Sequence, residues 1–280
     1  MILKLRDSGD NVKQLQRHLN KVGSALLIDG DFGPGTRDAV IDARTALSLA
    51  VAANAANAVA AGDADEALQA ALAALPEPFP ALGAPGVTFI ARCEIGSPKQ
   101  YRDKFRHPEW PGETSGITIG IGYDLKFCTR AQFEADWANV PAAAVSRLAP
   151  AFRVTGNKAL CTSVADLDFP LDLAMKVFIN RTLPEFLGKT RSIYPQVDRL
   201  SPAQRTALVS LVYNRGTDLD GDRRREMKTI QSLLAAGDLD SVSTELEGME
   251  RLWPNTPGLV QRRHDEARLW RSGFAALQLE

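Results

Sequence analysis

A chain of 280 residues can bury a sizeable core, and its length accommodates a small domain joined to a larger one. With 24% charged and 45% hydrophobic residues, the composition excludes a disordered or fibrous chain. The 33 Lys and Arg against 34 Asp and Glu leave a formal net charge of -1, so no general electrostatic attraction draws the chain to nucleic acid or an anionic membrane. Cys93, Cys128 and Cys161 are odd in number and lack a CxxC pair, which predicts free thiols. MILKLRDSGD turns polar too early for a secretory signal, and no apolar run reaches the roughly 18 residues of a membrane span. Synthesis in the cytoplasm without stable membrane insertion is expected.

In chain order, Val12, Leu15, Leu19 and Val22 put one apolar stripe on a helix opened by Asp10 and stopped at Gly23. The turn-rich IDGDFGPGT follows, with Thr36 expected to cap a second helix whose Ala39, Val40 and Ala43 face inward. A third helix is expected over residues 63–75, closing a three-helix unit over residues 1–76. PEPFPALGAPG, with four prolines and two glycines, reads as an interdomain linker over residues 77–86. The larger domain, residues 87–280, reads as α+β and mainly helical. Its one β-like segment is SGITIGIGYDL, where Ile117, Ile119 and Ile121 alternate with small or polar residues as in a hairpin. Helical signals follow over residues 131–138, 171–186, 202–212 behind a cap at Ser201, 228–236 and 261–275.

Glycosidic hydrolysis needs a carboxylic acid to protonate the leaving oxygen and a second polar group to hold water or stabilise charge. Glu94 lies in VTFIARCEIGS, where Phe89, Ile90 and Cys93 have helical spacing. Desolvation at a buried helix end is expected to raise its pKa, as a general acid requires; a surface or capping carboxylate is the structural alternative. FIARCEIGSPKQYRD followed by GITIGIGYDL resembles the catalytic segment of the phage-type lysozymes, a muramidase family. That resemblance implies a lysozyme-like domain in which Glu94 is the catalytic acid and Thr118, from TIGIG, positions water. Two aspartates fit the partner carboxylate. Asp103 follows Glu94 as in the T-even phage pattern, whereas Asp124 follows Thr118 as in pesticin-like muramidases; Asp124 is preferred. Its alternative is a turn cap, and that of Asp103 a solvated charge.

Around the hairpin, Trp110 and Tyr123 can stack on sugar faces or merely pack, and Ser115 can hydrogen-bond in the cleft. SLVYNRG resembles the family turn whose Asn faces substrate, which implicates Asn214. GLVQRRHDEARLW also resembles a family helix, with its Arg pair and Glu read as structural and surface charges. DLDGDRRRE fails the calcium-loop template, and His18, His107 and His264 lack metal-ligand spacing, so no metal or cofactor is expected.

LRDSGDNVKQLQRHLNKVG and IDGDFGPGTRDAV resemble the three-helix peptidoglycan-binding domain of wall hydrolases, departing from its pattern after Val40. A tethered module of that kind raises local enzyme concentration on a polymer without changing the chemistry. The combined resemblance implies a monomeric, endolysin-type muramidase with bacterial peptidoglycan as partner, cleaving the β-1,4 bond from N-acetylmuramic acid to N-acetylglucosamine. It would reach the wall after release by a membrane-permeabilising factor or delivery as an effector. A non-catalytic wall-binding protein and a lytic transglycosylase are the alternatives.

Overall fold

The computed structural model describes residues 1–50, 53–54, 57–277 and 279. In the N-terminal unit, α1 (Asp10–Lys21), α2 (Pro34–Ala46) and α3 (Glu66–Ala74) enclose a core of their own, with a two-residue hairpin, β1 (Ala53–Asn54) and β2 (Asn57–Ala58), between the last two. Val12, Leu15, Leu19, Phe32, Val40 and Leu68 are among its buried side chains; the first three come from the apolar stripe read from spacing, whose fourth member, Val22, is only partly buried at the helix end. Gln16 is buried with them because it ties the glycine turn: its Nε2 donates to Asp29 Oδ1 at 2.7 Å, and its Oε1 accepts from Gly30 N at 2.9 Å. Such satisfied side-chain bonds make a buried amide affordable. Thr36 does not cap α2. Gly33 takes that position with Pro34 opening the helix, and Thr36 turns inward, where its Oγ1 accepts from Gln16 Nε2 at 3.2 Å.

The second unit is built from α4 (Gly83–Ile95), the single turn α5 (Pro98–Gln100), α6 (Arg130–Asp136), α7 (Ala142–Leu148), α8 (Lys158–Val164), α9 (Leu171–Val177), α10 (Leu183–Ile193), α11 (Pro202–Arg215), α12 (Arg225–Ala236), α13 (Val242–Gly248) and α14 (Pro257–Ser272). One antiparallel hairpin, β3 (Thr118–Ile119) and β4 (Tyr123–Asp124), completes a mainly helical α+β architecture. α9 and α10 are continuous through a widened turn at Phe178–Thr182 that precedes Pro184, whose missing N–H leaves one helical bond unmade. The short helices α7, α8 and α13 carry too few turns to show a clear apolar period, and sequence reading missed them.

The linker expectation needs correction. α4 begins at Gly83, so the last four residues of the proline-rich stretch are helical: Pro85 lies in the first turn, where an N–H would be unpaired in any case. The residues before it are packed rather than extended. Leu82 is fully buried, Ala84 N donates to Glu77 Oε2, and Arg205 Nη1 holds Ala81 O at 2.7 Å. Gly86 lets α4 pass close to α11, since a Cβ there would collide with Thr206.

The two units are joined by packing. Ala25 of the N-terminal unit belongs to the core of the larger one, Arg92 Nη1 of α4 donates to Ala25 O at 3.1 Å, and Arg102 pairs with Asp38 at 3.1 Å. Gly23, at φ +87, abuts Met175, where a Cβ would fall 2.9 Å from its neighbour. The N-terminal unit is therefore a docked element, unlike the freely tethered module expected from the linker composition.

Candidate functional site

Glu94 occupies the last turn of α4, which Gly96 ends at φ +70. Its side chain is one quarter exposed, and Oε1 accepts a hydrogen bond from Arg262 Nη1 at 2.8 Å. The apolar surroundings expected for this carboxyl are thus replaced on one side by a guanidinium. Arg262 is itself buried, with Nε donating to Ser210 Oγ at 3.1 Å and Nη2 to Ser210 O at 3.0 Å. Glu266 sits below, accepting from Ser210 Oγ at 2.6 Å and from Arg263 at 2.8 Å. Arg262, Arg263 and Glu266 are all under one tenth exposed, so of the expected structural and surface charges of this helix these three are structural. Arg262 is the site residue that sequence reasoning passed over. Its only available signal was the family-like α14 motif, because pairing across 168 residues leaves no local pattern.

Tyr213 of α11 reaches the hairpin tip. The phenol of α11 donates to Ile121 O at 3.4 Å at the hairpin tip, and its ring packs on Phe186 at 4.4 Å between centroids. Burial first, then the nearby Glu94 charge, raises the Tyr213 pKa and keeps the hydroxyl protonated as a donor. Thr118, 9% exposed, begins β3 and stands directly opposite Asp124 on β4. The Asp124 carboxylate accepts from Gly116 N at 3.1 Å and Lys126 N at 2.8 Å, capping the turn after the hairpin. Each oxygen is committed to a backbone amide. Asp103 lies elsewhere, half exposed and paired with Lys99 at 2.5 Å one helical turn away.

Among the residues proposed to meet sugar, Tyr123 packs: its ring meets Trp137 edge-on at 5.6 Å, and its hydroxyl donates to Asp136 at 2.8 Å. Trp110 Nε1 donates to Ser115 O at 3.2 Å, which closes the loop before β3 and uses the Ser115 backbone rather than its hydroxyl. Asn214 is exposed in the last turn of α11. A cavity of about 760 Å³ opens beside the helix end, lined by Leu27, Phe89, Cys93, Leu259 and Arg262 among others, but by no hairpin residue. It backs onto Arg262 and is separate from the Thr118–Asp124 face. Burial pushes the Cys93 thiol up to about 12, so at neutral pH it is a protonated wall group and a poor nucleophile. Cys128 and Cys161 are also free thiols. No group of three His, Cys, Asp or Glu side chains suited to a metal occurs among the described residues.

The fold and site define a two-unit, mainly helical protein whose small unit is docked on a larger one carrying a helix-end glutamate and a hairpin. Residues 8–51 match the family model of a putative peptidoglycan binding domain, continuing beyond Val40, where the sequence departs from the family pattern. The N-terminal unit is a domain of that type, which supports peptidoglycan as a partner and association with the cell wall. Residues 87–168, which hold Glu94 and the hairpin, match the model of a domain of unknown function (DUF8812). No curated protein matches the chain. Among the described residues, no helix is long and apolar enough to cross a membrane.

Proposed function

We propose that the chain is a peptidoglycan hydrolase of the muramidase type, with Glu94 as the acid that protonates the glycosidic oxygen. The observation that carries this reading is the placement of Glu94: a partly exposed carboxyl at a helix end, held by buried Arg262, in a unit whose hairpin bears Thr118. Once Glu94 gives up its proton, the Arg262 guanidinium offsets the charge left behind without moving, which is how a preorganised site lowers a barrier. Thr118 supplies a hydroxyl for water on the opposing face, and Asp124 holds the loop that presents it. The docked N-terminal unit adds wall contact beside the chemistry and needs no flexible tether. As in the resemblance on which it rests, the bond cleaved is the β-1,4 link from N-acetylmuramic acid to N-acetylglucosamine, reached after release or delivery to the wall.

Glu94→Gln keeps the hydrogen bond to Arg262 but removes the proton donor. It is expected to lower the release of reducing ends from purified sacculi by roughly 10²- to 10⁴-fold with an unchanged circular dichroism spectrum. Retention of wild-type turnover by this variant sinks the assignment. Anhydro-muramyl ends in the digest would instead identify a lytic transglycosylase. A wall-binding protein without turnover is the second reading, favoured by the Asp124 carboxylate accepting a backbone amide on each oxygen as a turn cap does.

A further inference from the structure

The hairpin is extended by a third segment. Glu109 bridges to Thr118 on the side away from Asp124, with Glu109 N donating to Thr118 O at 2.9 Å and Thr118 N donating to Glu109 O at 2.8 Å. Residues directly opposite on antiparallel strands project from the same face. Glu109, Thr118 and Asp124 therefore stand in one row, with the threonine between two carboxylates. The neighbouring pair, Ile119 and Tyr123, points the other way into the core, as the burial of Ile119 and the Tyr123–Trp137 contact require.

Glu109 and the two aspartates read from the sequence as candidate partners differ in what they are free to do. Asp124 is committed to two amides and Asp103 to Lys99. The Glu109 carboxylate is half-buried and has no hydrogen-bond or ion-pair partner among the described residues. Desolvation alone holds its pKa above the ordinary carboxylate range. A partly exposed carboxyl that no protein group pairs, standing in the row of Thr118, is free to accept a proton from water there.

We propose that Glu109 is the catalytic base of this site, accepting a proton from the water that Thr118 orients. The inference rests on the muramidase reading. In the step, a water oxygen bonds to the anomeric carbon as the bond to the leaving oxygen breaks. Glu109 takes one water proton, and the proton on Glu94 goes to the leaving oxygen. Water is consumed, no redox partner is needed, and direct attack inverts the anomeric configuration.

The test uses the full chain on purified sacculi, comparing wild type, Glu94→Gln, Glu109→Ala and Asp124→Asn with and without sodium azide, a nucleophile that needs no base. Glu109→Ala is expected to lose about 10²-fold in turnover and to regain part of it with azide, yielding a glycosyl azide of inverted configuration detectable by mass spectrometry and NMR. Asp124→Asn should show no such rescue. Glu109→Gln should melt at or above the wild-type temperature, since it removes a desolvated charge. Turnover of Glu109→Ala within about threefold of wild type, loss of activity that azide does not rescue, or a lowered melting temperature of Glu109→Gln each overturns the proposal. If wild type turns over and Glu94→Gln does not, those outcomes remove the base alone. Absence of wild-type turnover removes both readings.

Discussion

The Arg262 guanidinium spends its nitrogens inside the protein, on Glu94 and on both the hydroxyl and the carbonyl of Ser210, with Glu266 at 3.4 Å. One cation thereby serves two carboxylates, one reaching solvent and the other wholly buried. Burial raises the Glu266 pKa against the pull of Arg263 and Arg262, so the charge balance of this layer depends on both arginines. Replacing Arg262 with Met keeps much of the apolar stem and removes the charge. The variant is expected to lose about 1–3 kcal/mol in urea unfolding, because Ser210 loses its buried donor while Arg263 still pairs with Glu266. A loss well under about 1 kcal/mol would mean that Arg263 alone balances Glu266 and that the Arg262 bonds to Ser210 add little to stability. The same residue thus links stability to chemistry, because the group that supports the α14–α11 contact also fixes the proposed acid.

At the scale of elements, the hairpin owes its shape to a carboxylate and a missing side chain. Gly116 N reaches Asp124 only because no Cβ intervenes: a Cβ there would overlap the carboxylate and lie 2.7 Å from Lys126 N. Gly116→Ala should therefore open the loop while leaving the helices intact. The expected cost exceeds about 1 kcal/mol, read as a lowered denaturation midpoint, together with weaker amide protection at Gly116 and Lys126 in hydrogen exchange. Unchanged protection would show that the Asp124 cap does not hold the loop. The glycines of TIGIG act at the tip, where Gly120 and Gly122 take φ of +59 and +68 and let the chain turn against Trp137 and Tyr213. That is a packing reason for both glycines.

For the whole molecule, docking of the small unit has a thermodynamic consequence. Arg92 lies two residues before Glu94 and holds the carbonyl of Ala25, and Ala25 is buried in the larger core. Unfolding the N-terminal unit should therefore disturb α4. Differential scanning calorimetry is expected to show one cooperative transition; two resolved transitions would identify independent modules. Core positions, the glycine turn of the small unit and the Glu94–hairpin pair were legible because each depends on local periodicity, turn chemistry or a short motif. The linker was misjudged because proline and glycine content reports backbone preference, whereas Leu82, Gly86 and Arg205 show that tertiary contacts decide whether such a segment packs.

By itself, the amino-acid sequence determined the two-unit plan, the mainly helical class and the placement of Glu94 at a helix end before a hairpin, all properties of neighbours along the chain. Only the tertiary structure decided which charges meet. It brought Arg262 to Glu94 across 168 residues, bound Asp124 to backbone amides, and set Glu109 beside Thr118 without a partner among the described residues. The physical reason is range: periodicity and turn preference act over a few residues, while desolvation and pairing depend on whatever the fold packs against each group.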